Sequence, residues 1–318
     1  MIKINKSNTI PKIKVFTEKK SHDNVEISKA EKELNDSIVF FDNQENYKDD
    51  KKLNEKEFKY QVYKDKELVK KLTDIFKDKC AYCDSVYKVI SPEDIDHFRP
   101  KNKIVTKDKK ELRPGYYWLA GDWNNLLISC IHCNRAHKHP IPGELKDVTR
   151  GKEAQFPLSD ESYRIRNHTD DIATEEEFRL LINPCIEDPE QLLTYDEFGL
   201  IYPKNKGDLK AEYSIFVYAL QRSKLVEARK EVLASFIRKL ELMRKPAREL
   251  YFAKKEKNAP LTEELNKQLR LHFIDISYLF RHKQPYLGVL RDYIRKTKNE
   301  DFNLELMNIG INLEKLIR

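Results

Sequence analysis

Two sets of chemistry-bearing side chains interleave between Cys80 and Lys138. Four thiols come in two Cys-x-x-Cys pairs, Cys80/Cys83 and Cys130/Cys133. Each pair puts two sulfurs on one tight turn, which is what a tetrahedral zinc needs from each of two knuckles. Between and just after them stand Asp96-His97, Asn125 and Asn134. Asp96 is a hard oxygen donor suited to magnesium or manganese, and Asn134, directly after the last thiol, offers a second oxygen. His97 can aim its ring at a water on the far side of a phosphorus. Phosphodiester hydrolysis needs such a base, and a divalent cation on the phosphate and the departing 3′-oxygen. The zinc is therefore expected to serve folding, and a second, catalytic metal to serve chemistry.

Cysteines so paired are otherwise buried or redox-active. The gap between the pairs is longer than in a simple zinc ribbon, and the inserted Asp-His segment accounts for it. His132 lies inside the second knuckle and, with four thiols at hand, reads as a bystander. Cys185 stands alone and reads as a small buried apolar residue. A zinc deaminase would need His-x-Glu with Pro-Cys-x-x-Cys, but Arg99 stands two after His97 and no proline precedes either knuckle. Arg99, Lys101, Lys103, Arg135 and Lys138 flank the motif and are candidate phosphate contacts, Arg as a fork and Lys as a point charge. Phosphate contacts carry no sequence information, so specificity is expected to be weak or supplied by a partner. Tyr116, Tyr117, Trp118 and Trp123 could stack on bases or pack the hairpin leading to the second knuckle.

The rest of the chain must position this segment. At 318 residues it is long enough for a substantial core, and with 36% charged residues it is very polar. No apolar run reaches the roughly 18 residues of a membrane span, and the N-terminus lacks a signal-peptide pattern. Paired cysteines without a secretory signal fit a reducing cytosol, so a cytoplasmic location is expected. The net charge of +7 favours anionic partners, although 53 acids are mixed among 60 bases. There is no Gly-rich nucleotide loop, so any ATP would be bound by another chain.

Residues 1–60 read as a basic arm and linker, 61–160 as the site-bearing core (about 76–158 at its tightest), and 161–318 as a mixed, then helical region. A stripe of Leu68, Leu72, Ile75 and Phe76 predicts a helix leading into the first knuckle. Residues 178–184 suggest a short strand, and 195–202 a hairpin turning at Gly199. Helical spacing follows from Leu225 to Met243, with Pro246 ending the run and Arg222 off the apolar face. Further helices are predicted over 261–280, 286–294 and 303–317. Arg244, Lys245, Arg248, Lys254, Lys255 and Lys257 form a basic patch.

At this point the residues resemble a family, the HNH or ββα-metal endonucleases, whose pattern is an Asp/His-His pair, a central Asn and a terminal His or Asn, often braced by two Cys-x-x-Cys knuckles. Nine positions separate Asn125 from Asn134, as that pattern prefers. The resemblance implies an α+β fold with a ββα-metal core. It also implies His97 as general base, Asp96 and Asn134 as metal ligands, and Asn125 as the tether that orients His97. Asn124 is a neighbouring alternative to Asn125, and His137 an additional candidate ligand.

A narrower resemblance covers Asp94 to Lys101, Gly115 to Ala120, Asp122 to Leu126 and Leu181 to Pro184. It is to the PtuB-type nucleases of Septu anti-phage systems and of retrons that use the same pair. This implies DNA as substrate, a PtuA-like ABC-type ATPase as partner, and in retrons a reverse transcriptase with its nucleic acid. The competing expectations are a zinc-stapled adaptor without catalysis and a nuclease acting on tRNA.

Overall fold

The computed structural model describes residues 1–22, 25–88 and 94–317. A helix of 14 residues, α1 (Lys29–Asp42), lies within the stretch expected to be arm and linker. Its start is encoded locally. The Ser28 hydroxyl accepts from the Glu31 amide while the Glu31 carboxylate accepts from the Ser28 amide, a reciprocal capping box. The first residues are docked rather than loose. The Met1 amine donates to the Tyr195 hydroxyl at 2.8 Å. Lys6 Nζ donates to the carbonyls of Trp123 and Leu126, and the Trp123 indole donates to the Ser7 carbonyl.

Helix α2 (Lys66–Phe76) is capped by Asp65, buries Leu68, Leu72 and Phe76, and stops at Lys77 in a left-handed conformation. It lies against the segment that carries the site. There β1 (Asp94–His97) pairs antiparallel with β2 (Leu126–Ser129), in the register Asp96 to Leu127 and His97 to Leu126. The short helix α3 (Ile131–Asn134) follows β2 directly. Next comes a hairpin of β3 (His137–His139) and β4 (Val148–Arg150). Strand β1 thus carries Asp96 and His97, and the short helix after β2 carries Asn134.

Beyond residue 160 the fold departs from expectation at residues 178–184, at Pro246 and in the last expected helix, 303–317, which Gly310 divides. No strand forms over residues 178–184. The Ile182 amide donates to the Ser214 hydroxyl and the Asn183 amide to Glu187, which leaves no ladder. Pro246 does not end its helix. The hairpin β5 (Leu193–Tyr195) and β6 (Ile201–Pro203) is followed by α4 (Leu209–Val217) and then α5, which runs unbroken over Ser223–Lys255. An interior proline removes one backbone donor at a cost of about 3 kcal/mol. Here Pro246 is buried beside Met243, Ala247 and Leu250, and α5 packs along α6 (Ala259–Leu279), so burial offsets the missing bond.

Two shorter helices, α7 (Leu287–Thr297) and α8 (Asp301–Asn308), close the chain; Gly310, at φ +97°, separates α8 from a last 3-10 turn. A single hydrophobic cluster joins Met1, Phe76, Leu127, Phe156, Leu220, Phe236 and Leu290. The helical region is therefore part of the core that supports the site. Among the described residues, no helix is long and apolar enough to cross a membrane.

Candidate active site and metal centre

The four thiols meet. Cys80, Cys83, Cys130 and Cys133 are all buried, and their sulfurs lie within 4.8 Å of one another. Ligands roughly 2.3 Å from a common tetrahedral centre stand about 3.8 Å apart, and the Cys83 and Cys130 sulfurs are 3.7 Å apart. The donor set therefore fits a zinc-class ion. Burial pushes the Cys80 and Cys133 thiols up, whereas Cys83 is held well below the ordinary thiol range by hydrogen bonds from the other three.

Arg222, expected off the apolar face of its helix, is in fact buried against this cluster. Its guanidinium donates to Cys133 Sγ at 3.5 Å and approaches Cys130 Sγ at 3.9 Å. Four thiolates around a divalent cation carry net negative charge, and this guanidinium offsets part of it.

The knuckles also fix the neighbouring site. The Ala81 amide donates to the Ile128 carbonyl, tying the first knuckle to β2, and the Asn134 amide donates to the Cys130 carbonyl. Gly151 then brings the chain back alongside. At φ +145° it stands where an added Cβ would fall 2.0 Å from the Arg135 carbonyl oxygen, so only glycine fits. That approach lets the amides of Lys152 and Glu153 donate to the carbonyls of Cys133 and Asn134 at 2.8 and 2.6 Å.

Asp96 is 3% exposed, and both its carboxylate oxygens have partners. Oδ1 accepts from Lys152 Nζ at 2.9 Å, and Oδ2 accepts from the Tyr82 hydroxyl. Lys152 is wholly buried and also donates to the His97 carbonyl at 2.8 Å. Tyr82 is stacked on Tyr218, ring centroids 3.8 Å apart.

On His97, Nε2 faces the Ala120 carbonyl at 3.0 Å, and Nδ1 lies 3.2 Å from Lys101 Nζ. A carbonyl can only accept, so Nε2 carries the proton and Nδ1 keeps its lone pair. Burial, helped by the Lys101 and Lys152 ammonium groups, holds this imidazole well below its usual pKa, so the ring is neutral at pH 7. Burial likewise lowers Lys101 to about 8.

Asn125 ties the loop between the strands. Its Oδ1 accepts from the Arg99 amide at 2.7 Å, and its Nδ2 donates to the carbonyls of Arg99 and Leu119, each at 3.0 Å. Asn124 faces outward instead, its amide reaching the Asn8 carbonyl at 3.4 Å. The Asn134 Nδ2 donates to Asp94 at 3.3 Å.

The phosphate candidates divide. Arg99 is 5% exposed and holds Glu175 and Glu176 at 2.9 and 2.6 Å, so its charge is engaged in an internal ion pair. Arg135 is largely exposed while gripping Asp94 with both arms of its fork. Lys101 lines the cleft, whereas Lys138 is exposed on β3 outside it. The aromatics pack rather than present faces. Tyr116, Tyr117 and Trp123 are buried, and Tyr117 stacks on Phe41.

Asp96, His97, Lys101, Asn134, Arg135 and His137 all line one cleft of about 760 Å³. Lys152, Tyr82 and Arg222 were not legible as site residues. Their partners lie far along the chain or inside a motif already read as a zinc knuckle. Gly151 beside Lys152 was the one local sign.

No family model matches the chain, and no solved structure matches it. Among curated proteins, Septu protein PtuB of Bacillus mycoides (strain KBAB4) is 42% identical over 176 residues, 55% of this chain and 54% of that protein. Septu protein PtuA of the same strain is 32% identical over 164 residues, 51% of this chain and 20% of that protein. The chain thus spans about half the length of the first relative and a fifth of the second. The second likeness is to this chain's own sequence, and so does not identify a partner. Over about half its length, this protein is a homologue of Septu protein PtuB.

Proposed function

We propose that this chain is a metal-dependent HNH endonuclease that hydrolyses DNA phosphodiester bonds as the nuclease of a Septu-type anti-phage system. One observation carries the reading. A neutral imidazole whose Nδ1 lone pair meets the Lys101 ammonium, two oxygen donors and two cationic side chains line the same cleft, beside a four-thiol cluster.

The steps assigned to this chain follow from that geometry. Phosphate enters along Lys101 and Arg135. The Ala120 carbonyl holds the His97 tautomer, so Nδ1 takes the proton of the attacking water once Lys101, which meets that nitrogen at 3.2 Å, has turned to the phosphate. Asn125 sets the loop that carries Ala120, and thereby aims the ring. Asp96 and the Asn134 carboxamide oxygen would hold magnesium or manganese, which supplies charge stabilisation at the phosphate and the departing 3′-oxygen. Lys152 and Tyr82 hold the Asp96 carboxylate in place, acting as positioning residues. Zinc in the thiol cluster serves folding, and an ABC-type ATPase of the PtuA kind would deliver or restrain the nuclease.

The occupied oxygens of Asp96 favour a second reading, a zinc-stapled adaptor without catalysis. Labelled DNA and RNA incubated with the protein, alone and co-purified with the neighbouring gene's product, decide between them. Magnesium is compared with EDTA, with and without nucleotide. Magnesium-dependent DNA cleavage that His97→Ala abolishes, with circular dichroism and zinc content unchanged, supports the nuclease. Cleavage of RNA alone overturns the DNA assignment, and cleavage undiminished in His97→Ala, or none at all, overturns the enzyme.

A further inference from the structure

Three of the chain's eight histidines, His132, His137 and His139, meet beside the thiol cluster, and the mechanism above uses none of them. Helix α3 contributes the first. The other two stand on one face of β3, because alternate residues of a strand share a face. Their ring centroids are 5.4 Å (His132 to His137), 5.5 Å (His132 to His139) and 6.2 Å (His137 to His139) apart. Imidazoles bound through nitrogen at roughly 2.1 Å to one tetrahedral or trigonal centre have centroids about 5.3–5.6 Å apart. Two of the three separations fall in that range.

A second observation points to a ligand. The Nε2 atoms of His137 and His139 are buried and have no hydrogen-bond partner, and His139 is only 6% exposed. A buried polar nitrogen without a partner costs about 1–3 kcal/mol, and such groups are rarely left without a water or an ion.

We propose that His132, His137 and His139 form a second metal site, which takes one zinc-class divalent ion through three imidazole nitrogens. The nitrogens are not gathered within 4.8 Å of one another as the four sulfurs are. Closing the site therefore requires rotation of a side chain, and exposed His132 is free to make it. Three neutral nitrogen donors without carboxylate suit zinc, nickel or copper and reject magnesium. Exposure of His132 leaves the fourth position to water or to an incoming group. The nearby Arg222 is turned to the sulfurs, so its charge is already matched. An ion here would fasten the β3–β4 hairpin to the second knuckle. Because His137 also lines the catalytic cleft, the ion would fix one wall of it.

The test is metal stoichiometry on the full chain. Zinc-saturated protein is passed through a desalting column, and bound metal is measured by mass spectrometry and by calorimetric back-titration. A mercurial then releases only the thiol-held zinc. Two equivalents per chain are expected, of which the mercurial releases one. His132→Gln, at an exposed position, and His137→Gln/His139→Gln should each weaken the mercurial-resistant equivalent about tenfold or more. The thiol-held equivalent should stay intact in both, which certifies the fold. Asp96→Asn should retain both equivalents, which separates this site from the proposed catalytic metal. A single equivalent in the unmodified protein overturns the proposal. So does a second equivalent that survives the histidine substitutions or disappears with Asp96→Asn.

Discussion

Lys152→Met tests the site where its electrostatics are most exposed to measurement. The substitution removes an ammonium that is wholly buried and holds both Asp96 Oδ1 and the His97 carbonyl, at 2.9 and 2.8 Å. Breaking one side of a buried ion pair costs about 3–5 kcal/mol, because the surviving charge is left unmatched. Tyr82 still donates to the other Asp96 oxygen, which places the expected loss near the lower end, about 3 kcal/mol. At roughly 2–4 °C per kcal/mol, the melting temperature in EDTA should fall by about 6–12 °C.

A divalent cation at Asp96 would replace the missing positive charge. Manganese should therefore raise the variant's melting temperature more than it raises the unmodified protein's, since a ligand at a hundred times its Kd stabilises by about 2.7 kcal/mol. Adding Asp96→Asn to the variant removes the orphaned charge. It should recover part of the loss, with a coupling of about 1–3 kcal/mol, and abolish the extra manganese effect. Differential scanning fluorimetry across this cycle reads all three quantities. A variant that melts with the unmodified protein in EDTA, or a manganese gain that persists without Asp96, would refute the reasoning.

Other outcomes follow from the same geometry. Cys83→Ser removes one of four ligands whose binding free energy is also folding free energy, so the mercurial-releasable zinc and cooperative melting should both be lost; an unchanged melt with that zinc retained would count against the cluster. Asn125→Ala deletes three buried hydrogen bonds, so a loss of about 2–4 kcal/mol is expected, with cleavage falling further than stability explains. Lys101 is lowered from 10.5 to about 8 by burial. Below pH 8 its ammonium is present for phosphate, and above it the charge is gone. The slope of log affinity for duplex DNA against log salt, measured in EDTA, should shrink by about 0.9 between pH 7 and 9. Lys101→Met should show the smaller slope at both pH values. Between pH 8 and 10.5 the unfolded chain binds the proton that the folded one does not, so Lys101 adds stability as pH rises there.

The parts of this site that could be read from sequence are those whose partners are near in the chain. Cys-x-x-Cys fixes two sulfurs on one turn, and the Leu68, Leu72, Phe76 stripe fixes a helix face. Contacts made by folding back could not be read so. Lys152 is 56 residues from the carboxylate it holds, and Arg222 is 89 from Cys133. A lysine or arginine in sequence looks like a solvated charge until the fold removes water from it. Arg99 makes the opposite case: its place beside the Asp-His pair suggests substrate, while Glu175 and Glu176, far along the chain, pair with it. Pro246 shows the same limit. A local rule forbids it inside a helix, and the neighbouring helix decides otherwise.

Arg222 and Tyr218 come from the connection between two helices of the C-terminal half, yet one caps the sulfurs and the other covers the aromatic ring that holds Asp96. A fragment cut to the strands and knuckles would lose both, leaving a negatively charged metal cluster open to water and an acidic side chain without its lid. The hydrophobic cluster that holds Phe76, Leu127 and Phe236 thus runs across the boundary drawn by the motif. Any force that a partner applies to the helical half would be felt directly at the sulfurs and at the carboxylate.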